Sequence, residues 1–210
     1  MTILVKRLIL LDDFETNTYL VWSKGDKTAI VIDPAAKPQE LFEEIKKLSL
    51  DIKYIINTHG HADHIGANRT LKKLTGAKIC IHALDKELFS DPDKNFSSFV
   101  DIEVTSPAPD ILLQGQDEVV FGEAKFVVIH TPGHSGGSIC LYGHEMLFSG
   151  DTLFFEGLGR TDLPGSNQSD IVHSINKKLF KLPDKTKVFP GHGGFTNIKH
   201  EKQYNPVTLF

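Results

Sequence analysis

Three histidines and an aspartate fall inside six residues, His59-Gly60-His61-Ala62-Asp63-His64, directly after the apolar run IKYIIN at residues 52–57. Four such groups crowded together are costly to keep unless a cation holds them, so this segment demands a strand end, a turn and a metal. In an extended turn His59 and His61 point the same way, while Asp63 and His64 begin the next helix and point elsewhere. One short segment thus offers two pairs of ligands.

The same arrangement recurs downstream, where apolar runs end in a polar residue flanked by glycine. FVVIH-TPGHSGG delivers His134, MLFSGD delivers Asp151, and KVFPGH delivers His192. Glycine lets the backbone turn sharply at a strand end, where open sheets place their sites. Taken singly, His134 and His192 read as structural histidines and Asp151 as a turn former. Together with the first segment they make five histidines and two aspartates. That exceeds what one tetrahedral metal takes, so the set predicts two divalent metals sharing one carboxylate, with Asp151 as the bridge. His82, His144, His173 and His200 lack partners at ligand spacing, and His130 reads as a hydrogen-bonding neighbour of His134.

The scaffold follows from length and periodicity. A chain of 210 residues with 40% hydrophobic and 24% charged residues has room for one sizeable core and is cramped for two. We expect one domain over residues 1–210, in two halves of about 1–100 and 106–210. Lys+Arg 23 against Asp+Glu 27 gives a net charge of −4, and without a basic stripe nucleic acid is excluded as a partner. The N-terminal MTILVKRLILLDD has no long apolar stretch and no small-residue cleavage site, so neither membrane insertion nor export is expected and the location is read as cytoplasmic. Cys80 and Cys140 each sit in a strand-like run and read as buried thiols of a reducing compartment. A homodimer through an apolar face stays open.

Three β-branched runs, ILVKRLIL, NTYLVWS and TAIVIDP, predict an opening meander. After Pro38, the spacing of Leu41, Ile45 and Leu48 predicts an amphipathic helix with Glu43 placed to pair Lys47. Residues 52–57 return to a strand, residues 65–75 form a helix with Leu71 and Leu74 inward, and residues 77–82 form a strand. Residues 90–110 carry three prolines and read as a long surface loop between the halves, a candidate lid. ILLQ, EVVF, AKFVVIH, SICLY and EMLFS then predict a largely antiparallel second sheet. A helix over 168–180, with Ile171, Ile175 and Leu179 on one face, precedes TKVFP, the last strand. The class is α/β (α+β).

The motifs THGHADH at 58–64, TPGHSGGS at 131–138, SGDTLF at 149–154 and FPGHGG at 189–194 resemble those of the metallo-β-lactamase-fold hydrolases across nearly the whole chain. With GLGRTDLPGS at 157–166 and the tail EKQYNP, the chain is most similar to short, single-domain glyoxalase II-like (hydroxyacylglutathione hydrolase-like) proteins. The resemblance implies an αββα sandwich of two mixed β-sheets flanked by helices, with two metals at one edge. It assigns His59, His61 and His134 to the first metal, Asp63, His64 and His192 to the second, and Asp151 to both. The family binds zinc, iron or manganese, and zinc is the leading expectation here. Arg160 is placed at the rim, where a guanidinium could hold a substrate carboxylate, with a salt bridge to Asp162 as its plainer use. Leu158 and Phe195, with Phe154 and Phe155, could form an apolar wall. Asp33 in VIDPA occupies a position the family uses near its site.

Two dications against Asp63, Asp151 and a bound hydroxide leave the centre formally positive, which favours an anionic substrate. Asp63 and Asp151 are therefore the expected catalytic residues, acting through a metal-bound hydroxide generated near pH 7. A thiolate leaving group, with a pKa of about 8.5, departs without a dedicated acid, whereas an amine needs a proton. The expected activity is hydrolysis of a small anionic thioester, S-D-lactoylglutathione or a related acyl-thiol. Gly193 stands where the larger glyoxalase II enzymes carry glutamate, and their C-terminal helical domain has no counterpart in the 18 residues after His192. The carrier thiol is accordingly open. The competing expectations are a mononuclear iron persulfide dioxygenase, which shares GRTD but has PAHD where this chain has PGHG, and a lactone or β-lactam hydrolase.

Overall fold

The computed structural model describes residues 2–11, 14–99 and 103–209. The chain opens with β1 (Ile3–Leu11), β2 (Thr16–Ser23) and β3 (Thr28–Ile32), which pair antiparallel as the meander the sequence predicts. Then come α1 (Pro38–Leu48), β4 (Asp51–Ile56), α2 (Ala62–Ile65), α3 (Asn68–Thr75), β5 (Lys78–His82) and β6 (Ile111–Leu113). β4, β5 and β6 add in parallel to β3, which completes a six-stranded mixed sheet in the order β1-β2-β3-β4-β5-β6. The second half supplies β7 (Glu118–Phe121), β8 (Ala124–His130), β9 (Ile139–Gly143), β10 (Met146–Gly150), β11 (Leu153–Phe154), β12 (Gly157–Leu158), α4 (Gln168–His173), β13 (Lys187–Pro190), β14 (Thr196–Asn197) and α5 (Ile198–Tyr204). Its six-stranded sheet runs β14-β13-β10-β9-β8-β7, antiparallel except for the β10–β13 pair.

Strand alternation sorts the side chains into three apolar layers. In β2 and β3, Leu20, Trp22, Ala29 and Val31 face Leu41 and Ile45 of α1 and Leu71 of α3. Their neighbours Tyr19, Val21, Ile30 and Ile32 face Phe126, Val128, Leu141 and Phe148 of the second sheet. On that sheet's far side Cys140, Leu147 and Val188 pack under Ile171, Ile175, Leu179 and Ile198. The architecture is the expected αββα sandwich, with both cysteines buried and free.

Several local expectations are corrected. ILL belongs to the first sheet, because Asp110 exchanges hydrogen bonds with the Ile79 backbone, pairs with Lys72, and zips β6 onto β5. The helix expected over 65–75 is divided into α2 and α3: Gly66, where a Cβ would sit 2.3 Å from the Ala35 carbonyl oxygen, lets the 33–35 loop approach, and the Ala67 N–H bonds the Pro34 carbonyl at 2.9 Å. The inward stripe of α3 is Asn68 and Leu71, and Leu74 falls off it, 41% exposed. On α1, Glu43 pairs with Lys46 and Glu44 with Lys47, one position short of the expected Glu43–Lys47 pair. A two-residue strand, β14, follows the strand expected to be last and pairs back on β13. Residues 90–110 are more than a surface crossing, since buried Asn95 donates to the Leu88 and Val104 carbonyls and sets Phe96 4.9 Å from the His61 ring. Residues 100–102 of that segment lie outside the described residues.

Phe148 is fully buried between the sheets, with ring centroids 5.3 Å from Tyr19, 5.8 Å from Phe126 and 5.0 Å from Phe189. Phe148→Ala is expected to cost about 3–5 kcal/mol. Denaturant titration of the metal-replete protein measures this, and a loss under about 1 kcal/mol contradicts the packing described.

Candidate metal centre

All seven expected ligands meet where the two sheets present their strand ends. His59 follows β4, His61 precedes α2, and Asp63 and His64 lie on α2; His134 follows β8, Asp151 follows β10, and His192 follows β13. Three overlapping triads form, His59/His61/His134, His59/His64/Asp151 and Asp63/His64/His192, and within each triad the ligand atoms lie within 4.8 Å of one another. Asp151 sits between the groups, 3.6 Å from His134 Nε2, 3.5 Å from His64 Nε2 and 3.3 Å from His192 Nε2. Gly191 makes this approach possible, because a Cβ there would fall 2.1 Å from Asp151 Oδ1 and 2.9 Å from His64 Cε1.

Hydrogen bonds outside the centre fix the ring tautomers. His134 Nδ1 lies 2.9 Å from the Arg160 carbonyl and His192 Nδ1 2.7 Å from the Phe14 carbonyl, so both nitrogens donate outward. Thr58 Oγ1 gives its proton to Asp33 and therefore accepts from His59 Nδ1 at 3.1 Å. His64 Nδ1 lies 3.1 Å from Asp33 Oδ2, a charge contact without hydrogen-bond geometry. Each of these rings is left with Nε2 aimed inward, and buried His59 Nε2 and Asp151 Oδ1 accept no hydrogen bond in the protein. His61 Nδ1 faces His134 Nε2 at 2.9 Å. Orphaned acceptors converging on one buried space are what a divalent cation satisfies, so the donor set fits two metals.

Charge divides the centre in two. Burial drives His59 well below the ordinary histidine range and His61 to about 3, helped by the surrounding histidines, so both are neutral and ready to ligate. Burial also opposes the charged forms of His64 and His192, yet the carboxylates outweigh it. Asp63, Asp151 and Asp33 raise His64 well above its usual value, and Asp151 and Asp63 raise His192 to about 10. Asp63 and Asp151 are held low despite burial, by His64 and His192 above all.

Two structural residues that sequence reasoning undervalued or missed hold the ligands in place. Asp33, buried with φ 49°, receives the Thr58 N–H and hydroxyl at 2.7 Å each besides its contact with His64. Asp85, buried, receives Gly60 N–H at 3.0 Å, Gly137 N–H at 2.7 Å and Ser135 Oγ–H at 2.6 Å. It ties the loop of His59 and His61 to the loop of His134. Asp85 has no ligand spacing to betray it, and only its burial reveals the role. His130 does not touch His134: it stacks on His82 with centroids 4.1 Å apart and bonds the Gly136 carbonyl, and the His134 partner is the Arg160 backbone. His200 joins none of the ligand groups and pairs with Glu156.

The expected substrate residues are more scattered. Both Arg160 fork nitrogens bond Asp162 at 2.7 Å, and the side chain is 62% exposed. Leu158 packs partly buried against the outer layer of the second sheet. Phe195 is half exposed and lies 5.0 Å from Phe189 by ring centroid. Phe154 lies edge-on to His192 at 6.0 Å, and Phe155 stacks on His200.

Comparison with known proteins agrees with this geometry. The family model of the metallo-beta-lactamase superfamily matches residues 11–192. The chain belongs to that superfamily of metal-dependent hydrolases. It is 35% identical over 197 residues to the hydroxyacylglutathione hydrolase GloC of Haemophilus influenzae, covering 92% of each chain. It superposes on the crystal structure of BLEG-1 B3 metallo-beta-lactamase with a TM-score of 0.92 at 35% identity, covering 97% of this chain and 98% of that one. TTHA1623, solved in a di-iron-bound form, gives a TM-score of 0.84 at 33% identity over 94% of this chain and 98% of that one.

Because His64 and His192 carry protons below their raised pKa values, metal uptake near neutrality must displace those protons, and none need leave His59 or His61. Chelator competition on the apoprotein is expected to show apparent affinity falling about tenfold per pH unit for each proton displaced, as pH drops from 8 to 6. A flat profile contradicts the charge division. Asp85→Ala strands the buried Gly60 and Gly137 N–H groups and is expected to weaken metal affinity about 10–100-fold at unchanged ligand identity. Metal affinity equal to wild type in a folded variant contradicts the tethering role.

Proposed function

We propose that the chain is a binuclear metal-dependent thioesterase acting on small anionic acyl-thiols, with S-D-lactoylglutathione as the reference substrate. The observation that carries this reading is the convergence of seven ligand groups, five of them buried and Asp63 and His192 partly so, with acceptor atoms left without hydrogen bonds. His59, His61 and His134 would hold one divalent ion and Asp63, His64 and His192 the other, with Asp151 shared; such ions supply Lewis acidity and a water acidified to near neutrality. Zinc is the leading candidate, with iron and manganese as alternatives.

The rest of the chemistry belongs to the protein. Asp63 and Asp151 stay anionic and present carboxylate oxygens to a proton in transfer, and Thr16 Oγ1 steadies Asp63 Oδ2 at 3.4 Å. Neither thiol competes as a nucleophile, since burial pushes Cys80 up to about 12 and Cys140 up to about 11 and keeps both protonated. A thiolate leaves unaided at neutral pH, which favours a thioester over an amide-like bond. Leu158 and Phe195 supply apolar rim surface. For Arg160 to hold a substrate carboxylate, it must first release Asp162. The GloC identity supports the same substrate class.

Thiol release from S-D-lactoylglutathione, followed on metal-replete protein and after chelation, tests the proposal. The metal-replete enzyme is expected to release thiol, chelation to abolish the activity and readdition to restore it. Asp151→Ala is expected to lose metal and activity together, by at least about a hundredfold. Full metal occupancy without thioester hydrolysis overturns the reading, and oxygen uptake with glutathione persulfide at one iron per chain would replace it with the dioxygenase.

A further inference from the structure

Beside His192 lies a hollow of about 240 Å³ lined by Arg7, Ile9, Glu15, Gly193 and Gly194. It adjoins the metal centre through the backbone on both sides of that ligand. Gly193 follows His192 directly, while Glu15 stands between Phe14, whose carbonyl accepts from His192 Nδ1, and Thr16, which bridges to His192 and bonds Asp63.

The two charged walls of the hollow are unspent. Arg7 reaches from β1, lays its guanidinium 4.6 Å from the Phe195 ring centroid and donates Nη1 to the Gly193 carbonyl at 3.0 Å. Arg7 is exposed, and among the described residues no carboxylate pairs with it. Glu15 is exposed in a left-handed conformation, φ 51°, and also pairs with no cation among the described residues. A cation and an anion thus line one hollow without neutralising each other. The Arg160 fork, by contrast, is closed by Asp162.

We propose that this hollow binds the zwitterionic α-amino-acid head of the carrier thiol, with its carboxylate on Arg7 and its ammonium on Glu15. A guanidinium stacked on an aromatic ring and pinned by one carbonyl is pre-oriented for a carboxylate. An opposing glutamate disfavours a plain dianion and rewards a ligand carrying both charges. Exposed Ile9 and Phe195 give the linking chain an apolar floor. The inference rests on the thioesterase reading for its choice of ligand and names the head group that the reading leaves open.

The test measures binding by calorimetry on the metal-replete full chain. Its probes are S-methylglutathione, a thioether that cannot be hydrolysed, and the same molecule with its amino group acetylated. Wild type is expected to prefer the free amine about tenfold or more. Arg7→Gln should weaken both probes, whereas Glu15→Gln should erase the preference between them; the metal content of each variant controls for folding. No binding of S-methylglutathione to wild type, or equal affinities across the variants, overturns the proposal. Charge-dependent binding in a protein that hydrolyses no thioester would sustain the hollow and sink the thioesterase reading.

Discussion

Buried imidazoles can share one small space only when their lone pairs face a cation, and much of this fold is arranged to enforce that. His59, His134 and His192 each turn Nδ1 toward an acceptor outside the centre, the Thr58 hydroxyl, the Arg160 carbonyl and the Phe14 carbonyl, and the Asp33 carboxylate lies 3.1 Å from His64 Nδ1. Those groups come from four separate stretches of chain, so the tautomers are a property of the tertiary structure. A metal then gains ligands already oriented, and little reorganisation remains to be done when it binds.

The sandwich makes such an arrangement affordable. Alternation in β2, β3, β9 and β10 fills three apolar layers without drawing on the strand ends. The strand ends are free to carry groups that would destabilise a core, and Asp33 and Asp85 brace them by accepting backbone and hydroxyl donors from neighbouring loops. Burial pushes Asp85 upward against the hydrogen bonds that lower it. A carboxylate kept there at that cost is consistent with a site whose geometry outranks local stability.

The seven ligands were legible because metal chemistry restricts residue type and spacing, and the strand-end pattern repeated four times. The strands and α1 were legible through period and β-branching. What escaped depends on contacts between distant segments. Asp110 carries β6 to the first sheet, the helix is interrupted where Gly66 lets Ala35 approach and the Ala67 N–H bonds the Pro34 carbonyl, and Leu74 falls off the stripe of α3 set by Asn68 and Leu71. His130 finds His82 from the other sheet. No single segment encodes such meetings, and Asp85 has the same character.

The central claim is that two ions share one carboxylate in a centre built from seven side chains. Anomalous diffraction from crystals of the metal-replete protein tests it directly. Two peaks are expected, one among His59, His61 and His134 and one among Asp63, His64 and His192, with Asp151 reaching both. A single peak at full occupancy, with Asp63 and His192 left paired to each other, would contradict it.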